Sequence, residues 1–432
     1  MKIYTLILAI TVVLINSVSL AQSPEKCGTQ HILEFYESQT PGYKQAVDET
    51  YKAIINRAKN ISRAADELYR IPLVIHVVYN ENKLEQNLHD SVILNQISIL
   101  NADFQRLNAD TINMRSIFAP IAGAPMIKFE LASTDPDGNG TTGITRTETT
   151  EDGFLDILSG NIAEGVKSTA TGGIDPWDQS QYLNIWICDM SFLGSPFILG
   201  YATPPANLPN WPNGGSSNLG DGVVIQFNFF GSNNPNSNPA FDVQGRTATH
   251  EVGHYLGLRH IWGDGDCTED DLLADTPNAE SESSQDCDTT KNTCVDTIPG
   301  GLGDLPDMIE NYMDYSAESC QNSFTNGQGE IIRSVLENER IDLLTSIGLS
   351  PLAVPETKYN KSTNIYPNPN SGKFIVKTTD AKSIQILNSI GQVVKIVPVN
   401  SDNTPIFIRE KGVYFVQICS GANTITKKLV VQ

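Results

Sequence analysis

His250-Glu251-Val252-Gly253-His254-Tyr255-Leu256-Gly257-Leu258-Arg259-His260 is the most informative stretch of the chain. Its first two histidines are four residues apart, about one helical turn, so on a helix their imidazoles converge on one side. The pattern predicts a helix from Thr247 to Leu258. Gly257 offers the left-handed conformation that stops a helix abruptly. A chain that turns there can swing His260 back toward the other two. Three imidazole nitrogens suit zinc and leave it a fourth position for water. Zinc brings the pKa of such a water to about 7. Glu251, beside the first ligand, can take that proton and return it to a leaving amine. A structural zinc site is the rival reading, but such sites favour four protein ligands with cysteine, and this stretch holds none.

The flanks read as a packed unit of alternating elements. Arg70 to Tyr79 (RIPLVIHVVY) is apolar and β-branched, the pattern of a buried strand. Ser91 to Leu107 has apolar residues at Val92, Leu94, Ile97, Leu100 and Phe104, which suits a helix lying on that strand. Met126 to Ala132 alternates as an amphipathic strand, and Tyr182 to Cys188 and Gly222 to Phe227 are further strands. Asp135 to Gly143 and Pro204 to Gly222 have the Gly, Pro and Asn content of loops. Beyond the motif, Gly263 to Gly303 is acidic and aperiodic, and Gln328 to Ile347 returns to a helical pattern. The class is α/β (α+β), a mixed sheet with a metal-binding helix.

The two ends differ from this middle. Lys2, the apolar run Leu6 to Leu20 and the small residues before Gln22 form a secretory signal peptide, residues 1–21, too short for a membrane anchor. Residues 22–66 are polar and helical in pattern and read as a pro-segment; residues 67–348 form the central unit. Pro351 to Lys361 has a linker's composition within the last segment, 349–432. From Asn364 onward, short alternating strands punctuated by glycine (KFIVKT, SIQILN, QVVKIV, PIFIR, VYFVQI, TKKLVV) indicate a small all-β sandwich. The net charge of −21 argues against nucleic acid or anionic membrane surfaces as partners. Seven cysteines in an exported chain suggest disulfides with at least one cysteine left over.

The eleven-residue motif resembles the extended zinc motif of the metzincins, and Asn311-Tyr312-Met313-Asp314-Tyr315-Ser316 resembles their methionine turn. With IPLVIHVVY and GLRHIWGD, the chain is most similar to the pappalysin family over roughly residues 70–345. The resemblance implies zinc at His250, His254 and His260, with Glu251 as the base. Met313 would underlie the metal, and Tyr315 would stabilise the oxyanion. It implies a carboxylate, Glu318, in the pocket for the residue after the cut (P1′), and so a preference for Arg or Lys there. It implies the disulfides Cys267–Cys294 and Cys287–Cys320 and a calcium site within Asp271 to Pro277, through Asp271, Asp275 and Thr276.

Cys27-Gly28 resembles the cysteine switch of latent metzincins, in which a thiolate takes zinc's open position. Activation would then need cleavage before Arg70, with Ser62-Arg63 the expected site. The module Tyr366-Pro367-Asn368-Pro369 … Gly412-Val413-Tyr414 … Lys427-Lys428-Leu429-Val430 resembles the type A sorting domain of the type IX secretion system, whose machinery would be a partner. A carbohydrate-binding or adhesive sandwich is its alternative. These readings converge on a secreted or cell-surface zinc endopeptidase acting on proteins or peptides and made as a zymogen. The competing class is a secreted adhesin on the same scaffold without turnover. Glu251 separates the two, since a decayed enzyme has no use for the base.

Overall fold

The computed structural model describes residues 24–58, 67–156, 161–192, 194–208, 211, 220–237, 239–349, 364–378, 381–388, 392–420 and 423–432. The expected signal peptide, the expected Ser62-Arg63 cleavage site and the expected linker lie outside them. The chain divides into two compact units, Met1–Ser350 and Pro351–Gln432.

The first unit is built on β1 (Tyr69–Asn80), buried along almost its whole length. Its run is continuously apolar because both faces are covered, as in parallel sheets. On one side β1 pairs in parallel with β2 (Ile127–Leu131) and β3 (Ile144–Thr149); on the other it pairs with β4 (Leu183–Cys188). The sheet continues through β6 (Val223–Gln226) to the antiparallel edge strand β5 (Gly200–Ala202). Strand β3 escaped the sequence reading because ITRTET is polar and only Thr149 in it is buried.

Six described helices pack around this sheet. Helices α1 (Thr29–Gln39) and α2 (Tyr43–Ala58) form the amino-terminal segment. Helix α3 (Asp90–Phe104) buries Val92, Ile93, Ile97, Leu100 and Phe104, whereas Leu94, expected on that face, points to solvent. Helix α4 (Arg246–Tyr255) carries the motif and is buried throughout. The helix expected over Gln328–Ile347 is two: α5 (Asn326–Glu337) and α6 (Ile341–Leu344). The chain leaves the helical conformation at Asn338 and Arg340. Arg340 then turns inward, its guanidinium bonded to Asp221 (2.6 and 2.9 Å) and to the Tyr255 carbonyl (2.9 Å). A buried, fully paired guanidinium outweighs a continuous helix there.

The second unit has a three-stranded antiparallel sheet of β7 (Asn364–Tyr366), β8 (Lys373–Lys377) and β11 (Asn403–Phe407). A four-stranded sheet contains β9 (Ser383–Leu387), β10 (Val393–Pro398), β12 (Gly412–Ser420) and β13 (Asn423–Val431). Phe374, Val376, Ile384, Ile386, Val416, Ile418 and Leu429 fill its core, the inward residues of alternating strands.

Candidate active site

Helix α4 delivers His250 and His254 on one face, and the chain turns at Gly257, whose φ is +88°. That turn returns His260 to the pair. The three Nε2 atoms lie 3.0 to 3.3 Å from one another. Three donors around a tetrahedral zinc at its usual bond length would be about 3.3 Å apart.

Each Nδ1 faces an acceptor: the Tyr312 carbonyl for His250 (2.7 Å), the Leu258 carbonyl for His254 (2.9 Å) and the Asp264 carboxylate for His260. An acceptor at Nδ1 requires that nitrogen to carry the proton. In that tautomer the Nε2 lone pairs converge on one point. Three converging lone pairs have no stable arrangement without a cation, so the donor set fits zinc.

Around the imidazoles the walls are aromatic and apolar. Trp262 stacks on His260, ring centroids 4.3 Å apart, and Tyr315 sits against both His250 and His260. Met313 is fully buried beneath the helix. Its Sδ lies 2.6 Å from where a Cβ on residue 253 would be, so any larger residue between the first two ligands would displace the methionine.

Glu251 is buried. Its Oε2 meets the Cys27 thiol and the Thr29 hydroxyl at 3.4 Å each, and its Oε1 has no partner. Burial pushes its pKa up to about 8. Burial drives His254 down to about 3, lowers His250 well below its usual range and raises the Cys27 thiol. Each of these groups resists charge on its own; a dication among them would reverse that preference.

Cys27 is itself part of the cluster. Its Sγ and the three imidazoles lie within 4.8 Å of one another, all buried. Next to it, the buried Lys26 donates to the carbonyls of Asp314 and Ser316 (3.2 Å each). Desolvation lowers the Lys26 pKa, and Glu318, Asp314 and Glu251 oppose that shift. Lys26 lines a cavity of about 190 Å³ with Leu199, Phe229, Asp242, Ser316 and Glu318. The amino-terminal segment runs parallel to the strand edge at Glu25–Ile198, and Gly28 N donates to Gly200 O (2.8 Å). Tyr315 Oη donates to the Cys27 carbonyl (3.3 Å).

Two expectations come out differently in detail. Glu318 does not offer a free carboxylate for a guanidinium: Oε2 accepts from Gln244 N (2.6 Å) and Arg246 N (3.0 Å), and Oε1 from Thr247 N (2.7 Å) and Thr247 Oγ1 (2.6 Å). It caps the start of α4, where unpaired N–H groups and the helix dipole favour a carboxylate. Nor do the three residues expected at calcium act alike. Asp275 gives its oxygens to Thr325 Oγ1 (3.2 Å) and Gly327 N (2.7 Å) at the start of α5. Thr276 Oγ1 lies 3.4 Å from Thr325 Oγ1. Asp271 is buried with Oδ2 unpartnered. The bridges Cys267–Cys294 and Cys287–Cys320 are present, with Cα atoms 5.5 and 5.9 Å apart. Lys26, Trp262 and Asp264 were missed in the sequence reading. Lys26 adjoins Cys27, and Trp262 and Asp264 lie in the quoted GLRHIWGD, which was the available signal.

The first unit resembles mature mirolysin of Tannerella forsythia in complex with a cleaved peptide: 40% identity, TM-score 0.56, 66% of this chain and 99% of that one. The chain belongs to the pappalysin family of metallopeptidases. A promirolysin mutant from the same organism matches this pappalysin at 37% identity and TM-score 0.60, over 74% of this chain and 97% of that one. Residues 171–337 match the family described as Pregnancy-associated plasma protein-A, and residues 364–432 the one described as Secretion system C-terminal sorting domain. An extracellular metalloprotease of Arthroderma benhamiae is 48% identical over 90 residues, which is 21% of this chain and 30% of that protein. The chain thus spans about a third of that relative's length in the match. A second extracellular metalloprotease of the same fungus is 29% identical over 291 residues, 66% of this chain and 79% of the other.

Proposed function

We propose that this pappalysin is a secreted zinc-dependent metalloendopeptidase, made as a latent precursor. The observation that carries the reading is the convergence of three imidazole Nε2 atoms beside a buried carboxylate with one orphaned oxygen. His250, His254 and His260 would hold zinc, which when bound polarises the scissile carbonyl and acidifies water. Glu251 Oε1 takes the water proton and passes it to the leaving nitrogen. Tyr315 Oη, now spent on the Cys27 carbonyl, is free for the developing oxyanion once the segment leaves.

Latency rests on residues 24–58. Cys27 supplies a fourth donor, and Thr29 and Cys27 occupy the oxygen of Glu251 that faces them. The larger coverage of the pro form than of the mature form of mirolysin agrees with this segment being a pro-segment. A basic side chain after the cut is favoured by what already sits there: Lys26 lines the cavity beside Glu318, with Asp242 in its wall. The acceptors are chiefly the Asp314 and Ser316 carbonyls, so Lys or Arg is held by carbonyl oxygens in an acidic surrounding. Asp271 would be calcium's side-chain ligand. The carboxy-terminal unit would direct export by the type IX route.

The test is casein hydrolysis by the processed protein with and without a zinc chelator, beside Glu251→Ala. Chelation should abolish turnover and zinc restore it, and E251A should lose about 10²–10⁴-fold in kcat. Turnover unaffected by both would reject the reading. Cys27→Ala in the full-length protein should hydrolyse casein before any processing.

A further inference from the structure

The amino-terminal segment leaves an imprint beyond the metal. Tyr36 on α1 is buried, and its phenol donates to Glu164 Oε2 (2.6 Å). The same oxygen atom of Tyr36 accepts from Gly220 N (3.1 Å). The seat is built from residues of the catalytic unit. Tyr201 Oη donates to Glu164 Oε1 (2.8 Å), and Lys167 Nζ pairs with that oxygen (2.6 Å) and donates to Gly220 O (2.6 Å). Thr203 Oγ1 also donates to Gly220 O (2.9 Å). The Lys167 ammonium lies 4.9 Å from the Tyr201 ring centre and is only 3% exposed. Around this polar centre the walls are Val166, Trp186, Ala206 and Val224. Once residues 24–58 depart, the partly buried carboxylate of Glu164 remains at the floor of a largely apolar socket.

We infer that this socket is a second substrate subsite, one that takes a tyrosine side chain. The carboxylate can accept a hydrogen bond from a phenol but gains nothing from phenylalanine. Lys167 already occupies the other carboxylate oxygen, Glu164 Oε1, which leaves Oε2 to face the incoming side chain. Its place along the cleft follows from the segment. Lys26 lies on one side of Cys27, and Thr29 on the other accepts from Ala202 N (3.3 Å). Tyr36 lies further the same way, about 10 Å along the helix from Thr29. An extended substrate covers that in roughly three residues. The socket therefore receives a residue three or four positions before the cut. This inference rests on the endopeptidase reading and on the Lys26 cavity receiving the residue after the cut.

The experiment uses the processed full-length protein and quenched fluorescent peptides with Arg after the cut. Tyr, Phe or Ala is placed in turn two, three and four residues before it. Tyrosine should exceed phenylalanine in kcat/KM by about tenfold at position three or four, the value of a hydrogen bond to a charged group. Glu164→Gln should bring that ratio close to one. Replacing Arg by Ala after the cut, in the same peptides, reads the other cavity separately. Binding of the peptides to processed E251A by fluorescence polarisation reads the socket even if nothing is cleaved. Equal rates and equal binding for Tyr and Phe at every position would overturn the inference. So would a tyrosine preference that E164Q leaves intact. Should E164Q fail to accumulate, the Tyr-to-Phe ratio in the unsubstituted protein still decides.

Discussion

Within residues 1–350, charge is folded into the interior. Arg340 meets Asp221, Arg246 meets Asp103, Lys167 meets Glu164, and Glu251 and Glu318 are buried on and below the metal-site helix. Within residues 351–432 the interior is Phe, Ile, Val and Leu, and the buried polar side chains are Asn370, Thr378 and Thr404 among the described residues. The sandwich needs only alternation to specify it. The first unit needs partners chosen across long sequence separations, because each buried ion must be matched or be neutralised. A reaction site demands desolvated charge, and the surrounding fold carries the cost of supplying it.

That contrast can be broken by substitution. Removing one member of the Arg340–Asp221 pair strands a buried guanidinium. Asp221→Ala should destabilise the first unit by about 3–5 kcal/mol. In calorimetry its transition should fall sharply while that of the second unit stays in place. A shift of both transitions together would show that the two units do not melt independently.

Acid sharpens the comparison. Burial holds His76 down to about 4, against 6.5 when unfolded, between Thr145 Oγ1 and Asn184 Oδ1. The folded state keeps the ring neutral, so the unfolded state gains a proton first as pH falls. Stability from this group is intact above pH ~6.5 and declines down to pH ~4, by at most about 3 kcal/mol. With zinc saturating, His76→Gln should flatten the pH dependence of the first transition across that window. The second unit has no histidine, and its transition should show no such slope there.

The smallest effect belongs to the sandwich. Ile386→Val removes one methylene from its core and should cost about 1 kcal/mol. In a unit this small that lowers Tm by about 4–8 °C. Casein hydrolysis by the processed protein should not change.

How much could be read from sequence follows the same division. The sandwich strands were legible because alternation is local. So were β1, the metal-site helix and its glycine stop, since motif spacing and apolar runs are local too. The resemblance added Cys27, Tyr315, Met313 and both disulfide pairings, and the structure brings Cys27, Tyr315 and Met313 to the histidines. What escaped is long-range. Nothing near Arg340 announces Asp221, 119 residues away, so the break between α5 and α6 was invisible. Strand β3 is too polar to stand out. Glu318 does border the cavity it was assigned to, but its oxygens reach back more than 70 residues to α4, which was not foreseen.

That cap has a consequence for redesign. One carboxylate fixes the first turn of the helix that carries His250 and also borders the cavity holding Lys26. Engineering selectivity through Glu318 would therefore shift the metal's first ligand along with it. Asp242, in the same wall but exposed and bonded to Gln244 Nε2 and Ser319 N, is the position where charge can be retuned while the helix keeps its anchor.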